Sequence, residues 1–281
     1  LVKSTLHYAE FYLTNHCNIT CNNCNRFNNH KITGSADWEQ YKQTYLKWSK
    51  ILDINRIALL GGEPLLYPKI ATTVADVRTW WPTAELEITT NGLLIQRIKS
   101  DLCNAIIDNN VSLYVSIHKK DWVDDIKSAI ANKFGKLTLI KSSDFPHYDI
   151  CKTELGVNIT LEYTYWFRSA SLQTNQDNKL VLHNSNPDTA HDVCDMKHSF
   201  HFWKGCLYKC GVMVTLPYVI EQKSLDCNIS ADQLQLIKNY TPLTLDNVID
   251  NPNIIHTLYD SIEQCKLCPE NYNNYTEIFK T

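Results

Sequence analysis

Three cysteines within eight residues, Cys17-Asn18-Ile19-Thr20-Cys21-Asn22-Asn23-Cys24, constrain this chain more than any other stretch. They follow an alternating, aromatic-bearing segment, His7 to Leu13, that reads as a β-strand, so the thiols belong to the loop after it. Three thiolates at this spacing can hold three irons of a [4Fe-4S] cluster and leave the fourth iron open to an outside ligand. Zinc is the competing occupant, with His16 and His30 nearby as further donors. The 11 cysteines would imply disulfides in a short secreted chain. Here their number is odd, no basic-then-apolar signal opens the sequence, and the close spacings are those of metal ligands. The sequons at Asn18, Asn158, Asn228 and Asn274 then follow from an Asn-rich composition rather than from glycosylation.

After the cysteines the sequence alternates between helical and strand patterns. A helix is expected from Asp37 to Leu52, with Trp38, Tyr41, Tyr45 and Trp48 on one face and Ser35 or Asp37 as its N-cap. Ile57 to Leu60 reads as a buried strand that runs into Gly61-Gly62-Glu63-Pro64, and a helix from Tyr67 to Trp81 is stopped by Pro82. Leu86 to Thr90 is the next strand, followed by Asn91-Gly92 and a helix carrying Ile98, Leu102 and Ile106. Val111 to Ile117 has the cleanest period of two, and a helix with Trp122, Ile126 and Ile130 follows. Leu137 to Ile140 and Val157 to Tyr165 complete six strands, although no convincing helix fills Lys141 to Leu155. This order implies an α/β fold with a parallel sheet. Sites in such folds form at the carboxyl ends of strands, where Cys17–Cys24, Gly61–Pro64, Thr90–Gly92 and Ser116–His118 all fall.

Cys17-x3-Cys21-x2-Cys24 after the first strand, with Gly61-Gly62-Glu63-Pro64 after the second, resembles the radical S-adenosylmethionine (radical SAM) superfamily over about the first 170 residues. The resemblance implies a partial (β/α)6 barrel in which SAM binds the open iron through its methionine amine and carboxylate. It also implies that Gly61, Gly62, Glu63 and Pro64 meet the methionyl amine. Glycines let a backbone approach closely, and a carboxylate accepts from an ammonium. For the SAM ribose the resemblance implies Asn91 and Ser116; a turn and a capping hydroxyl are the plainer readings of the same residues. Lys141 and Arg168 are expected to meet the SAM carboxylate or a substrate anion, or else to be solvated charges. The family usually has an aromatic residue before the third cysteine, where this chain has Asn23, so Arg26 or Phe27 is expected to stand in beside the adenine.

Beyond Arg168 the sequence becomes polar and turn-rich, then bears cysteines again, which sets an expected boundary between a barrel at 1–185 and a domain at 186–281. Cys194-x10-Gly205-x4-Cys210 resembles the opening of the SPASM pattern, and Cys265-x2-Cys268 adds a later pair, as in the shorter twitch variant. This implies a small C-terminal iron-sulfur domain in which Cys194, Cys210, Cys265 and Cys268 ligate one auxiliary [4Fe-4S] cluster. Cys206 competes with Cys210, and a four-thiolate zinc site competes with the cluster. Cys103, Cys151 and Cys227 read as ordinary thiols.

The expected activity is generation of a 5′-deoxyadenosyl radical, hydrogen abstraction, and net oxidation of a small molecule such as a sugar, aminocyclitol or nucleoside. The auxiliary cluster would take the electron, and flavodoxin or ferredoxin would supply the first one. His118 is the candidate base, with a solvated loop histidine as the plainer reading. Peptide-modifying relatives commonly carry a leader-binding domain ahead of the barrel, whereas the first strand here begins almost at residue 6. A small molecule is therefore expected ahead of a precursor peptide, for which leader binding would be supplied in trans. A peptide-modifying maturase and a zinc-stabilised binding module are the alternatives. A net charge of −3 with scattered Lys and Arg gives no footprint for nucleic acid. No apolar run approaches the roughly 20 residues of a membrane span, so a cytoplasmic protein is expected.

Overall fold

The computed structural model describes residues 3–144, 147–168, 172–223, 226–271 and 275–279. β1 (Ser4–Tyr12) leads through the cysteine loop to α1 (Trp38–Ile51), followed by β2 (Leu52–Leu60) and α2 (Ile70–Trp80). β3 (Glu85–Thr90), α3 (Ser100–Asp108), β4 (Ser112–Ile117) and α4 (Val123–Phe134) continue the alternation. Three strands come next without helices, β5 (Leu137–Asp144), β6 (His147–Thr153) and β7 (Asn158–Tyr163). The remainder comprises β8 (Trp166–Arg168), β9 (Leu172–Thr174), β10 (Leu180–Leu182), α5 (Pro187–Asp192), β11 (Phe200–Trp203), β12 (Cys206–Tyr208), α6 (Gly211–Lys223), α7 (Ala231–Lys238), α8 (Leu245–Asp250) and β13 (Tyr275–Glu277).

A nine-stranded sheet, ordered β12-β11-β1-β2-β3-β4-β7-β6-β5, organises the fold. Six of these strands are mutually parallel, β11, β1, β2, β3, β4 and β7. They are not the six expected. Leu137–Ile140 belongs to β5, which pairs antiparallel with β6, and β6 pairs antiparallel with β7. The links are too short for anything else, because a parallel return needs a crossover of about a dozen residues or more. The sixth parallel strand is instead β11, from beyond the expected boundary near 185, laid against the outer side of β1.

β11 and β12 are joined by Lys204-Gly205, both with positive φ (49° and 81°), a two-residue hairpin that favours glycine at its second position. The turn is gripped by α1: Trp48 Nε1 donates to Gly205 O at 2.9 Å, and Gly205 N donates to Tyr45 Oη at 3.1 Å. Asp37 caps α1 as expected, accepting from Gln40 N.

Strand alternation separates the faces of the sheet. Ala9 and Phe11, Ile57 and Leu59, Leu86 and Ile88, Leu113 and Val115, and Ile159 and Leu161 join the main core with residues of α1–α4. The intervening residues Tyr8, Glu10, Arg56, Glu87, Tyr114, Ser116 and Glu162 line a cavity on the opposite face. A second core, including Phe27, Met213, Leu216 and Leu267, holds α6 against the cysteine loop and the C-terminal segment. Among the described residues no helix is long and apolar enough to cross a membrane.

Candidate active site

A cavity of about 1190 Å³ opens over the polar face of the sheet. Cys17, Cys21 and Cys24 line it, as do Cys194, Cys210, Cys265 and Cys268. The two cysteine sets, more than 160 residues apart in sequence, thus share one chamber. Cys206 does not line it; it sits on β12 opposite Trp203. None of these cysteines forms a disulfide.

Burial pushes the Cys17 thiol up to about 11 and that of Cys21 higher, and the charge of Cys24 raises both further. Burial likewise pushes Cys210 up to about 11, with Cys265 and Cys194 adding to the rise. These thiols are protonated near neutrality unless a metal takes the proton's place. Among the described residues no three His, Cys, Asp or Glu side chains converge tightly enough for a single metal ion. His16 and His30, the donors a zinc ion would need beside the triplet, do not line the cavity. Three soft donors around an open chamber fit a cluster with one vacant iron.

The Gly61–Gly62 backbone lines the cavity, but the structure shows a further reason for the glycines. A Cβ on Gly61 would lie 2.4 Å from Thr14 O, and one on Gly62 2.3 Å from His16 O. The segment entering the cysteine loop lies directly on this turn, with Gly62 N donating to Thr14 O at 2.7 Å and Glu63 N to His16 O at 2.8 Å. Glu63 and Pro64 do not line the cavity. The fully buried Glu63 carboxylate accepts from Thr90 Oγ1 at 2.7 Å, Asn91 N at 2.9 Å and Leu65 N at 3.0 Å, so its oxygens serve the protein rather than an incoming ammonium. Burial pushes this carboxyl up to about 7, against the pull of those donors.

Asn91 lines the cavity, and both ends of its amide are engaged: Nδ2 donates to Asn18 Oδ1 at 2.8 Å, and Oδ1 accepts from Leu93 N at 3.1 Å. The turn and the tie to the cysteine loop are therefore one device. The loop is fixed at its far side too, where Asn22 N donates to Ile278 O at 2.9 Å and Asn22 Nδ2 to Glu277 O at 3.2 Å. Ser116 lines the chamber and donates to Glu162 at 3.3 Å. His118 also lines it, with Nδ1 facing Thr164 O at 3.1 Å. Because a carbonyl accepts, Nδ1 carries the proton and Nε2 the lone pair; burial lowers the ring's pKa and keeps it neutral.

The remaining expected residues differ in where they stand. Lys141 is exposed in the middle of β5, the outermost strand, and does not line the cavity, because β5 is an antiparallel edge strand rather than the fifth strand of a barrel. Arg168 ends β8, and its side chain lies outside the described residues. Phe27 is buried in the second core, and Arg26 is committed to Glu10 at 2.5 Å and to His201. Phe27 therefore does not reach the chamber, whereas Arg26 lines it.

Residues that no motif marked also line the chamber. Arg56 forms a forked pair with Glu87 at 3.2 and 3.0 Å, and Lys209, only 4% exposed, donates to Leu258 O at 2.5 Å. Glu87 belongs to the polar register of β3, Glu85, Glu87 and Thr89, whereas Arg56 is the one polar residue in its register of β2 and Lys209 follows β12, so neither carries a periodic signal.

No family model matches the chain. Among curated proteins it is 30% identical over 136 residues to the GTP 3′,8-cyclase of Heliobacterium modesticaldum, covering 44% of this chain and 41% of that protein. It is 25% identical over 193 residues to the GTP 3′,8-cyclase of Chlorobaculum tepidum, covering 63% and 56% respectively. The chain thus spans about half the length of these relatives. Among solved structures, BtrN in complex with AdoMet and 2-DOIA is 22% identical, covers 41% of this chain and 47% of its own, and gives a TM-score of 0.31. With its Cys17-x3-Cys21-x2-Cys24 loop lying on the Gly61–Gly62 turn, the chain resembles the radical SAM superfamily, whose cofactors are SAM and a [4Fe-4S] cluster.

Proposed function

We propose that this chain is an oxidoreductase acting on a polar small molecule such as a sugar, aminocyclitol or nucleoside. Cys17, Cys21 and Cys24 would hold the SAM-binding cluster, and Cys194, Cys210, Cys265 and Cys268 an auxiliary [4Fe-4S] cluster that accepts the substrate's electron. The observation that carries this reading is the common chamber of about 1190 Å³ onto which both cysteine sets open. When bound, the cofactors supply a 5′-deoxyadenosyl radical by reductive cleavage of SAM, with an external flavodoxin or ferredoxin as electron source.

The chain's own residues do the rest. The Gly61–Gly62 backbone and Asn91 fix the cysteine loop, the polar sheet face orients the substrate, and His118, neutral with its lone pair on Nε2, takes the substrate proton. The charge balance favours a substrate without phosphates. Of the lysines and arginines on the cavity wall, Arg26 and Arg56 are ion-paired, while Lys197 and Lys209 donate to backbone carbonyls. The GTP named for the relatives would need several free cations.

Anaerobic reconstitution with iron and sulfide tests the reading. It should give about eight irons per chain, falling to about four when Cys265 and Cys268 are both replaced by Ala, with dithionite-dependent release of 5′-deoxyadenosine. Zinc retention without SAM cleavage would refute it.

A further inference from the structure

Three carboxylates from the parallel strands reach the cavity wall, and two of them are matched by a guanidinium. Glu10 of β1 faces Arg26 at 2.5 Å, and Glu87 of β3 faces Arg56 at 2.7 Å. Glu162 of β7 differs. Its carboxylate accepts from Ser116 Oγ at 3.3 Å and from the Tyr114 hydroxyl, and no cation pairs with it among the described residues. The ring of His118 lies within its electrostatic reach, but that ring is neutral and directs its Nδ1 proton to Thr164 O.

Tyr114, Ser116, His118 and Glu162 all line the chamber, and β4 and β7 place them side by side, with Ser116 and Glu162 in register. Two hydroxyls satisfy lone pairs of a half-buried carboxylate without supplying charge. What the group lacks is a positive partner, and a further hydroxyl from a ligand would not provide one. Resting on the reading of this chamber as the substrate site, we propose that Glu162 anchors a primary ammonium group, so that the substrate is a small polar amine. Ser116 and Tyr114 hold the carboxylate in place, and Thr89 lines the same chamber. SAM carries the other positive charge that could reach this wall, and the experiment separates the two sources.

The test is ligand-detected saturation-transfer NMR on the anaerobically reconstituted, SAM-loaded protein near neutral pH. Two matched pairs serve as probes: glucosamine against glucose, and trans-4-aminocyclohexanol against cyclohexane-1,4-diol. The amine of at least one pair should bind about tenfold more tightly than its neutral partner. Glu162→Gln should remove that preference with SAM affinity unchanged by equilibrium dialysis, and Glu162→Asp should keep it. Equal binding within both pairs, no binding by any probe, a preference that survives Glu162→Gln, or a loss of SAM affinity in that variant would each overturn the assignment. Failure of the parent reading looks different: the protein would take up no cluster and cleave no SAM.

Discussion

The Asn91 amide donates to Asn18 Oδ1 at 2.8 Å, tying the end of β3 to the residue after Cys17. The same residue donates its backbone N–H to Glu63, so three consecutive strand ends are fastened at one point. Asn91→Ala removes the link to Asn18 and the turn bond to Leu93 N, at a cost of about 1–2 kcal/mol. The expected result is a folded protein with a lower melting temperature that loses iron from the triplet cluster faster than wild type under chelator challenge.

Gly62→Ala is expected to be far worse. Its Cβ would meet His16 O at 2.3 Å and His16 C at 2.7 Å, backbone atoms held by the Glu63 N–H bond. The loop cannot yield without breaking that bond, and overpacking of this kind costs on the order of 3 kcal/mol. Gly156→Ala is the control. Nothing lies within 4 Å of its Cβ, and only the strain of φ +86° remains, about 1 kcal/mol. Denaturant midpoints of the two variants should differ accordingly.

The glycines also show what was legible in the sequence and what was not. The cysteine loop, the Gly61–Pro64 turn, the helices α1–α4 and the cap at Asp37 are local patterns, set by residues a few positions apart. The direction of β5 and β6 is not local: Leu137–Ile140 has the composition of a strand in either orientation, and only the short connections forbid a parallel return. Glu63 reads as a ligand carboxylate until Thr90 and Asn91 are folded against it. The reach of Cys194, Cys210, Cys265 and Cys268 into the first chamber depends on β11 pairing with β1, a contact almost two hundred residues long in sequence that no motif announces.

Glu63 should give the protein an unusual pH dependence. Burial lifts its carboxyl from the usual 4.5 to about 7, so between these values the folded chain holds a proton that the unfolded chain has lost. Stability is therefore greatest on the acid side and falls as pH rises through this window, by roughly 3 kcal/mol in all. Glu63→Gln, with the shape of the neutral acid, should flatten the slope. Urea midpoints taken from about pH 5 to about pH 8 check it, and an unchanged slope in the variant would assign the effect elsewhere.

Glu10 works in the opposite sense, and Arg26 is the reason. Burial alone would raise the Glu10 carboxyl, but the Arg26 guanidinium, with His201 behind it, outweighs burial and holds it at about 2. Its contribution is complete above about pH 4.5 and is lost as pH falls toward 2. Arg26→Met leaves a buried carboxylate without its cation, at a cost of about 3–5 kcal/mol near neutrality. Burial then dominates, the carboxyl rises above its ordinary range, and stability falls as pH rises through it. Adding Glu10→Gln to Arg26→Met removes the stranded charge and should restore most of the lost stability while abolishing the reversed slope. Both single variants and the double variant complete the cycle. A double variant no more stable than Arg26→Met alone would mean that Arg26 matters through packing against Gly211, where a Cβ would meet its Nη1 at 1.9 Å, and not through Glu10.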